Sequence, residues 1–139
     1  MIPPEFEYHA PTTLSDAVAL LNELGDEAKV LAGGHSLLPM MKMRFAEPAH
    51  LIDLNKIDQL RGIREEDGLI KIGAMTVEND ILDSELLQQK ASLLPKAVKL
   101  IADPQVRNRG TIGGDIAHGD PANDHPAIMK AMDATFVIA

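Results

Sequence analysis

Two paired-glycine segments carry the chemistry that this sequence can be read for. The first, Ala32-Gly33-Gly34-His35-Ser36, lies between a short apolar run and a helical one. Adjacent glycines admit positive φ and let another group approach closely. Free amides in such a turn and at the following helix start point outward, where phosphate oxygens accept from them. Ser36 suits the helix N-cap, or its hydroxyl faces the phosphate instead. An ordinary tight βα turn is the plainer reading. The segment is neither a G-x-G-x-x-G dinucleotide fingerprint nor a P-loop, since no Gly-Lys-Ser/Thr follows. The second segment, Thr111-Ile112-Gly113-Gly114-Asp115, reads as another glycine turn and follows Arg107 and Arg109. Those arginines either raise the local positive potential for an anion or pair with surface acids. Two such turns in one small chain suggest a diphosphate held from two sides.

His118, Asp120, Asn123, Asp124 and His125 form a third group. Imidazoles and carboxylates at close spacing are metal-ligand types. Gly119 and Pro121 make the segment a loop, however, and no helical face aligns the ligands as H-E-x-x-H would. The favoured reading is a polar loop in which one carboxylate accepts from a ribityl or ribose hydroxyl. The alternative is a solvated loop with Pro126 opening a helix at its first position. No metal ligand is assigned.

The elements that must position these groups follow from hydrophobic period. Phe6 to His9 reads as a strand. Leu14, Ala17, Val18, Leu21 and Leu24 recur at helical spacing, with Thr13 and Asp16 as a capping box and Gly25 as the stop. Lys29 to Ala32 is a second strand, Leu37 to Met43 a second helix with Pro39 in its first turn, and His50 to Leu54 a third strand. Strand and helix alternating in this way make an α/β unit. Beyond it, Gly62 to Glu65 and Leu69 to Ala74 flank an Asp67-Gly68 turn, a hairpin signal. Helices are expected from about Thr76 to Leu87, from Ser92 to Ile101 and from Ile128 to Ala134, with a polar segment from Asp103 to Arg109. Thr135 to Ala139 is a β-prone apolar run that simply stops, so the chain is expected to be part of a longer polypeptide.

Composition narrows the function. The 139 residues are 45% hydrophobic and 24% charged, enough to bury a core, and the size of one domain rather than a two-domain enzyme. Thirteen Lys and Arg against 21 Asp and Glu leave a net charge of −8, which disfavours nucleic acid or an anionic membrane as main partner. With no cysteine, the sequence itself supplies no disulfide, thiolate zinc site, Fe–S ligand or cysteine nucleophile. No signal peptide or membrane span is evident, and a cytoplasmic location is expected.

Ala32-Gly33-Gly34-His35-Ser36-Leu37-Leu38-Pro39 and Ile101 to Gly114, in that order, with Phe6-Glu7-Tyr8 and Leu51-Ile52-Asp53-Leu54, resemble the FAD-binding medium subunit of molybdenum hydroxylases. The look is nearest to aerobic carbon monoxide dehydrogenase and its relatives, including the xanthine dehydrogenase FAD domain. The resemblance implies α/β followed by α+β, a two-subdomain FAD-binding fold of the PCMH, vanillyl-alcohol oxidase-like, type with its C-terminal domain missing. It implies residues 1–55 as the α/β subdomain and 56–139 as the second, truncated one.

By position, the resemblance places the first pyrophosphate turn on Ala32, Gly33, Gly34, His35 and Ser36, preceded by Lys29. It places the second FAD segment on Thr111, Gly113, Gly114 and Asp115, with Thr111 and Gly114 nearest the cofactor. Asp124 matches a carboxylate on the sugar-like chain of the flavin, Ile101 an apolar residue beside its ring, and His118 stands where a small polar residue is usual. Asp115 stands where the family often has Asn; a carboxylate cannot donate and adds negative charge near a diphosphate, unless it faces away. The implied role is electron transfer with FAD as cofactor, no catalytic residue, and no metal on this chain. The implied partners are a molybdenum-cofactor large subunit and a [2Fe–2S] small subunit in a dimer of heterotrimers, with a separate C-terminal portion possible, and no nucleic acid. A stand-alone FAD oxidase and a cofactor-free interaction module are the alternatives.

Overall fold

A computed structural model describes residues 2–139; Met1, where the first expected subdomain begins, lies outside the described residues. Strand β1 (Glu7–His9) leads into helix α1 (Leu14–Leu24), β2 (Ala28–Leu31), α2 (Leu37–Lys42) and β3 (His50–Asp53). These strands form one parallel sheet in the order β1-β3-β2, with Glu7 and Ala28 both opposite His50. Thr13 caps α1 by accepting from the Asp16 amide, and Gly25 ends it at φ 57°. The apolar face of α1 packs on the sheet, so Ala17, Ala28, Ile52 and Ile57 form one buried cluster joined by Leu60.

The antiparallel hairpin β4 (Ile63–Glu66) and β5 (Leu69–Ile72) follows, turned at Asp67 and Gly68, both in the left-handed region. Six short helices come next: α3 (Glu78–Asp83), α4 (Glu85–Lys90), α5 (Leu93–Val98), α6 (Pro104–Arg107), α7 (Ile112–His118) and α8 (His125–Ala131). Ile81, Leu87, Leu94, Val98, Ile112 and Met129 form their buried core. The architecture is α/β followed by α+β. No helix among the described residues is long and apolar enough to cross a membrane.

Four expectations need correction. The helix read through Thr76 to Leu87 breaks at Ser84, whose extended backbone and hydroxyl recap the chain on the Leu87 amide. The polar segment from Asp103 contains helix α6, because Asp103 accepts from the amides of Gln105 and Val106 ahead of Pro104. The second glycine segment is not a turn but the first turn of α7, capped by Thr111. Finally, Thr135 to Ala139 is not a strand. Val137 and Ile138 stand 95% and 90% exposed, and β propensity without a neighbouring strand fixes nothing.

Candidate cofactor cleft

The first glycine segment leaves the carboxyl end of β2 and packs directly on the segment that contains Arg109 to Gly114. A Cβ placed on Gly33 would stand 2.3 Å from the Arg109 carbonyl oxygen, and one on Gly114 would stand 3.3 Å from Ala32 Cβ. One on Gly113 would meet Ala74 Cβ at 2.6 Å. The glycines at 33 and 113 are therefore required by the chain's own backbone. Gly34 differs: its φ of 81° lies in the left-handed region.

Between the two segments lies a cleft of about 710 Å³, within the usual size of a small-molecule site. Its walls include Lys29, Ala32, Gly33, Gly34, His35, Ser36, Ile101, Thr111, Gly113, Gly114, Asp115, His118 and Asp124. The fold thus gathers in one cleft the residues that the resemblance placed at the cofactor, while Asp120 and Asn123 of the polar loop are not among its lining residues. Neither Arg107 nor Arg109 is among the lining residues. Arg107 instead donates to the Ile101 carbonyl at 2.8 Å and to Asn79 at 3.3 Å, holding the loop in which Ala102 takes φ 41°.

The two walls differ chemically. Among the described residues, none accepts from the amides of Gly33, Gly34, His35 or Ser36. Ser36 makes no side-chain cap, so its hydroxyl is also free. A left-handed residue in such a run turns successive N–H groups into an anion-binding concavity. On the opposite wall the amides are already engaged. Ile112 donates to the Thr76 carbonyl at 3.2 Å, Gly113 to Ala74 at 2.9 Å, and Gly114 to Thr111 Oγ1 at 3.2 Å. That wall offers the Thr111 hydroxyl proton and the bare glycine surface. Amides without a protein acceptor therefore lie on one side of the cleft, while those of Ile112 to Gly114 on the other side are already engaged.

Residues outside the expected set support both walls. The Asn55 side-chain amide donates to the Ala32 carbonyl at 3.0 Å and to Asp53 Oδ1 at 2.6 Å, and Arg61 donates to Asn55 and to the Met75 carbonyl. Burial raises the Asp53 pKa, but hydrogen bonds from Tyr8 and Asn55 and the Arg109 charge outweigh it and hold that carboxyl below the usual range. An Asp followed two residues later by Asn at a strand end hints at such a turn; Arg61 gave no local signal.

The Asp115 side chain turns away from a free amide role and accepts from His125 twice, from its amide at 3.1 Å and from Nδ1 at 3.0 Å. Opposite, His125 Nε2 stands 3.2 Å from Glu78 Oε2, an ion-pair distance without hydrogen-bond alignment, and neither atom has another partner. Burial alone would push the His125 pKa down, yet the Asp115 hydrogen bond and the two carboxylates raise it to about 9. Burial would raise Asp115, but its hydrogen bonds from His125 and the His125 and His118 charges lower it. The negative charge anticipated at Asp115 is thus matched by an imidazolium within the wall. Asn123 donates to the Asp115 carbonyl at 2.7 Å, and Asp120 accepts from Ala122, so these loop residues organise their own backbone. Glu78 went unmarked because nothing in its own stretch of sequence points to His125.

Residues 4–139 match the family described as the FAD binding domain in molybdopterin dehydrogenase, and the chain belongs to that family. Its cofactor is FAD. Within the family it is 67% identical over 138 residues to the carbon monoxide dehydrogenase medium chain of Hydrogenophaga pseudoflava, covering 99% of this chain and 48% of that one. It is 52% identical over 136 residues to the corresponding chain of Afipia carboxidovorans, covering 98% and 47%. A solved structure of the Hydrogenophaga pseudoflava enzyme lacking the Mo-pyranopterin moiety of its molybdenum cofactor superposes with a TM-score of 0.91 at 70% identity. That match covers 92% of this chain and 45% of the other. The chain spans about half the length of the curated relatives it matches.

Proposed function

We propose that this chain is the FAD-binding portion of the electron-transfer subunit of a molybdenum-containing dehydrogenase of the carbon monoxide or xanthine dehydrogenase type. The observation that carries the reading is the run of free amides at Gly33 to Ser36, facing Thr111 across one cleft. These groups fit a diphosphate, with Lys29 as the nearby cation on β2 and Thr111 donating from the opposite wall. Asp124 makes no side-chain cap on α8 and remains available to accept from a sugar-like hydroxyl, while Ile101 and Ala102 offer an apolar edge to the ring. His35, Gly113, Gly114 and His118 complete the cradle in this reading, and Asp115 acts through His125 rather than on the cofactor.

When bound, the flavin would supply the redox chemistry, receiving electrons that are released by substrate oxidation at the molybdenum cofactor and relayed through [2Fe–2S] clusters on a partner chain, for delivery to an external acceptor. The protein's part is to hold, orient and shield it. A molybdenum-cofactor large subunit and an iron–sulfur small subunit, in a dimer of heterotrimers, are the partners proposed. The medium-chain designation of the relatives supports this, as does the absence of cysteine in the sequence. The division into an α/β and an α+β subdomain is supported by the two separate cores. Packing of Ile57 and Leu60 with the first core favours a boundary just past Leu60 rather than at residue 55.

The test is an absorption spectrum of the purified protein in its assembled state, followed by acid release and identification of the cofactor. About one FAD per chain is expected, and Gly33→Glu and Gly114→Glu should each remove most of it. Unchanged flavin content in both variants would overturn the site.

A further inference from the structure

Outside the cleft, where β1 pairs with β3, Glu7, His9 and His50 converge: their ligand-type atoms all lie within 4.8 Å of one another. None of the three lines the cofactor cleft. Glu7 and His9 alternate on one face of β1, and parallel register sets Glu7 directly opposite His50 on β3. His50 Nδ1 is the focus. His9 Nε2 stands 3.2 Å from it and Glu7 Oε2 3.4 Å from it.

Proton bookkeeping makes this arrangement informative. A neutral imidazole nitrogen is either a donor or an acceptor, not both. If His50 Nδ1 carries the proton and donates to Glu7, it offers no lone pair to His9. If it accepts from His9, its lone pair faces a carboxylate oxygen. A single proton on His50 Nδ1 therefore serves both neighbours only as a shared, weakened three-centre bond. A cation accepts all three lone pairs at once. The remaining ring nitrogens, His9 Nδ1 and His50 Nε2, have no partner among the described residues and can carry the protons in that case. Ligands about 2.0–2.1 Å from a tetrahedral zinc are separated by about 3.4 Å, close to the spacing seen around His50. The Glu7 carboxylate pairs with no Lys or Arg among the described residues, and the chain's net charge of −8 favours a cation.

We propose that Glu7, His9 and His50 form a binding site for a zinc-class divalent cation, two imidazoles and one carboxylate, that pins β1 to β3. Glu7 is 75% exposed while His50 is 16% exposed, so the fourth position opens to solvent, to water or to a ligand from outside the chain. The site is independent of the flavin reading.

The test uses the purified, assembled protein stripped with a chelator and titrated with zinc against a chromophoric competitor, with X-ray absorption at the zinc edge. One zinc per chain with two imidazole ligands is expected. Losing an outer-shell partner of a metal costs about 10–100-fold in affinity, so losing a ligand costs at least that. Glu7→Gln and His9→Asn should each weaken zinc at least about tenfold while flavin content stays unchanged. Glu7 is exposed, so its variant keeps the fold. Zinc held equally by both variants, or no imidazole in its shell, would overturn the proposal.

Discussion

His125, 1% exposed and set between Glu78 and Asp115, keeps its proton to a pH of about 9 in the folded chain against 6.5 unfolded. Its contribution to stability is fully present below pH 6.5 and is lost as pH rises through about 9. The shift corresponds to about 3 kcal/mol. Denaturant titrations should show stability falling across that window in the wild type and nearly flat in His125→Gln. The same variant, read near pH 6, should lose about 3–5 kcal/mol because two carboxylates are left beneath the cleft without their cation. Asp115 runs in the opposite sense: its depressed pKa contributes stability above its unfolded value that fades as pH falls further. At Gly33 the constraint is steric. Gly33→Ala should cost about 1–3 kcal/mol through its clash with the Arg109 carbonyl, seen as a lower Tm, and should reduce flavin content by opening the wall.

The two cleft-bearing helices have different starts, and that difference separates stability from binding at the scale of the element. Helix α7 is capped by the buried Thr111, whose hydroxyl accepts from the Gly114 amide. Helix α2 has no side-chain cap, since Ser36 is itself in helical conformation with its hydroxyl free. Thr111→Val keeps the volume and removes the cap, so it should lower stability by about 1 kcal/mol and also weaken FAD retention. Ser36→Ala should leave the stability within about 0.5 kcal/mol of wild type while still weakening FAD retention. Thermal unfolding and flavin release on the same samples distinguish the pair. Equal destabilisation by both substitutions would mean that Ser36 serves the fold. The break between α3 and α4 follows the same logic, because a Ser hydroxyl offers the backbone an alternative to continuing the helix.

Across the whole molecule, the cleft joins two cores that share few side chains. A ligand held by Gly33 to Ser36 on one side and Thr111 on the other binds the folded state alone and stabilises both. FAD at about 100 times its dissociation constant should raise stability by about 2.7 kcal/mol. Amide hydrogen exchange should then slow at residues 33–37 and in α7 together. Protection confined to the first segment would show that the second wall takes no part.

Much of this was legible in local sequence. Hydrophobic period and caps located β1, α1, β2, α2, β3 and the hairpin, because those signals act within a few residues. The two glycine segments, which the fold sets on the walls of one cleft, were visible as candidate sites for the same reason. Local sequence could not say what each glycine is for: a Cβ at Gly33 or Gly113 fails against Arg109 and Ala74, partners far along the chain. Nor could it show that Thr111 to Asp115 begins a helix, that Arg107 holds Ile101, or that Asp115 is answered by His125 and Glu78. By itself the sequence determined the order of the first five elements and the hairpin, since period and turn chemistry are properties of neighbours, and its motifs carried the resemblance to the family and hence to its cofactor. The tertiary structure alone decided which amides stay free, which charges are matched, and that β1 and β3 bring Glu7, His9 and His50 together. Those are properties of distance and burial, which no stretch of neighbouring residues contains.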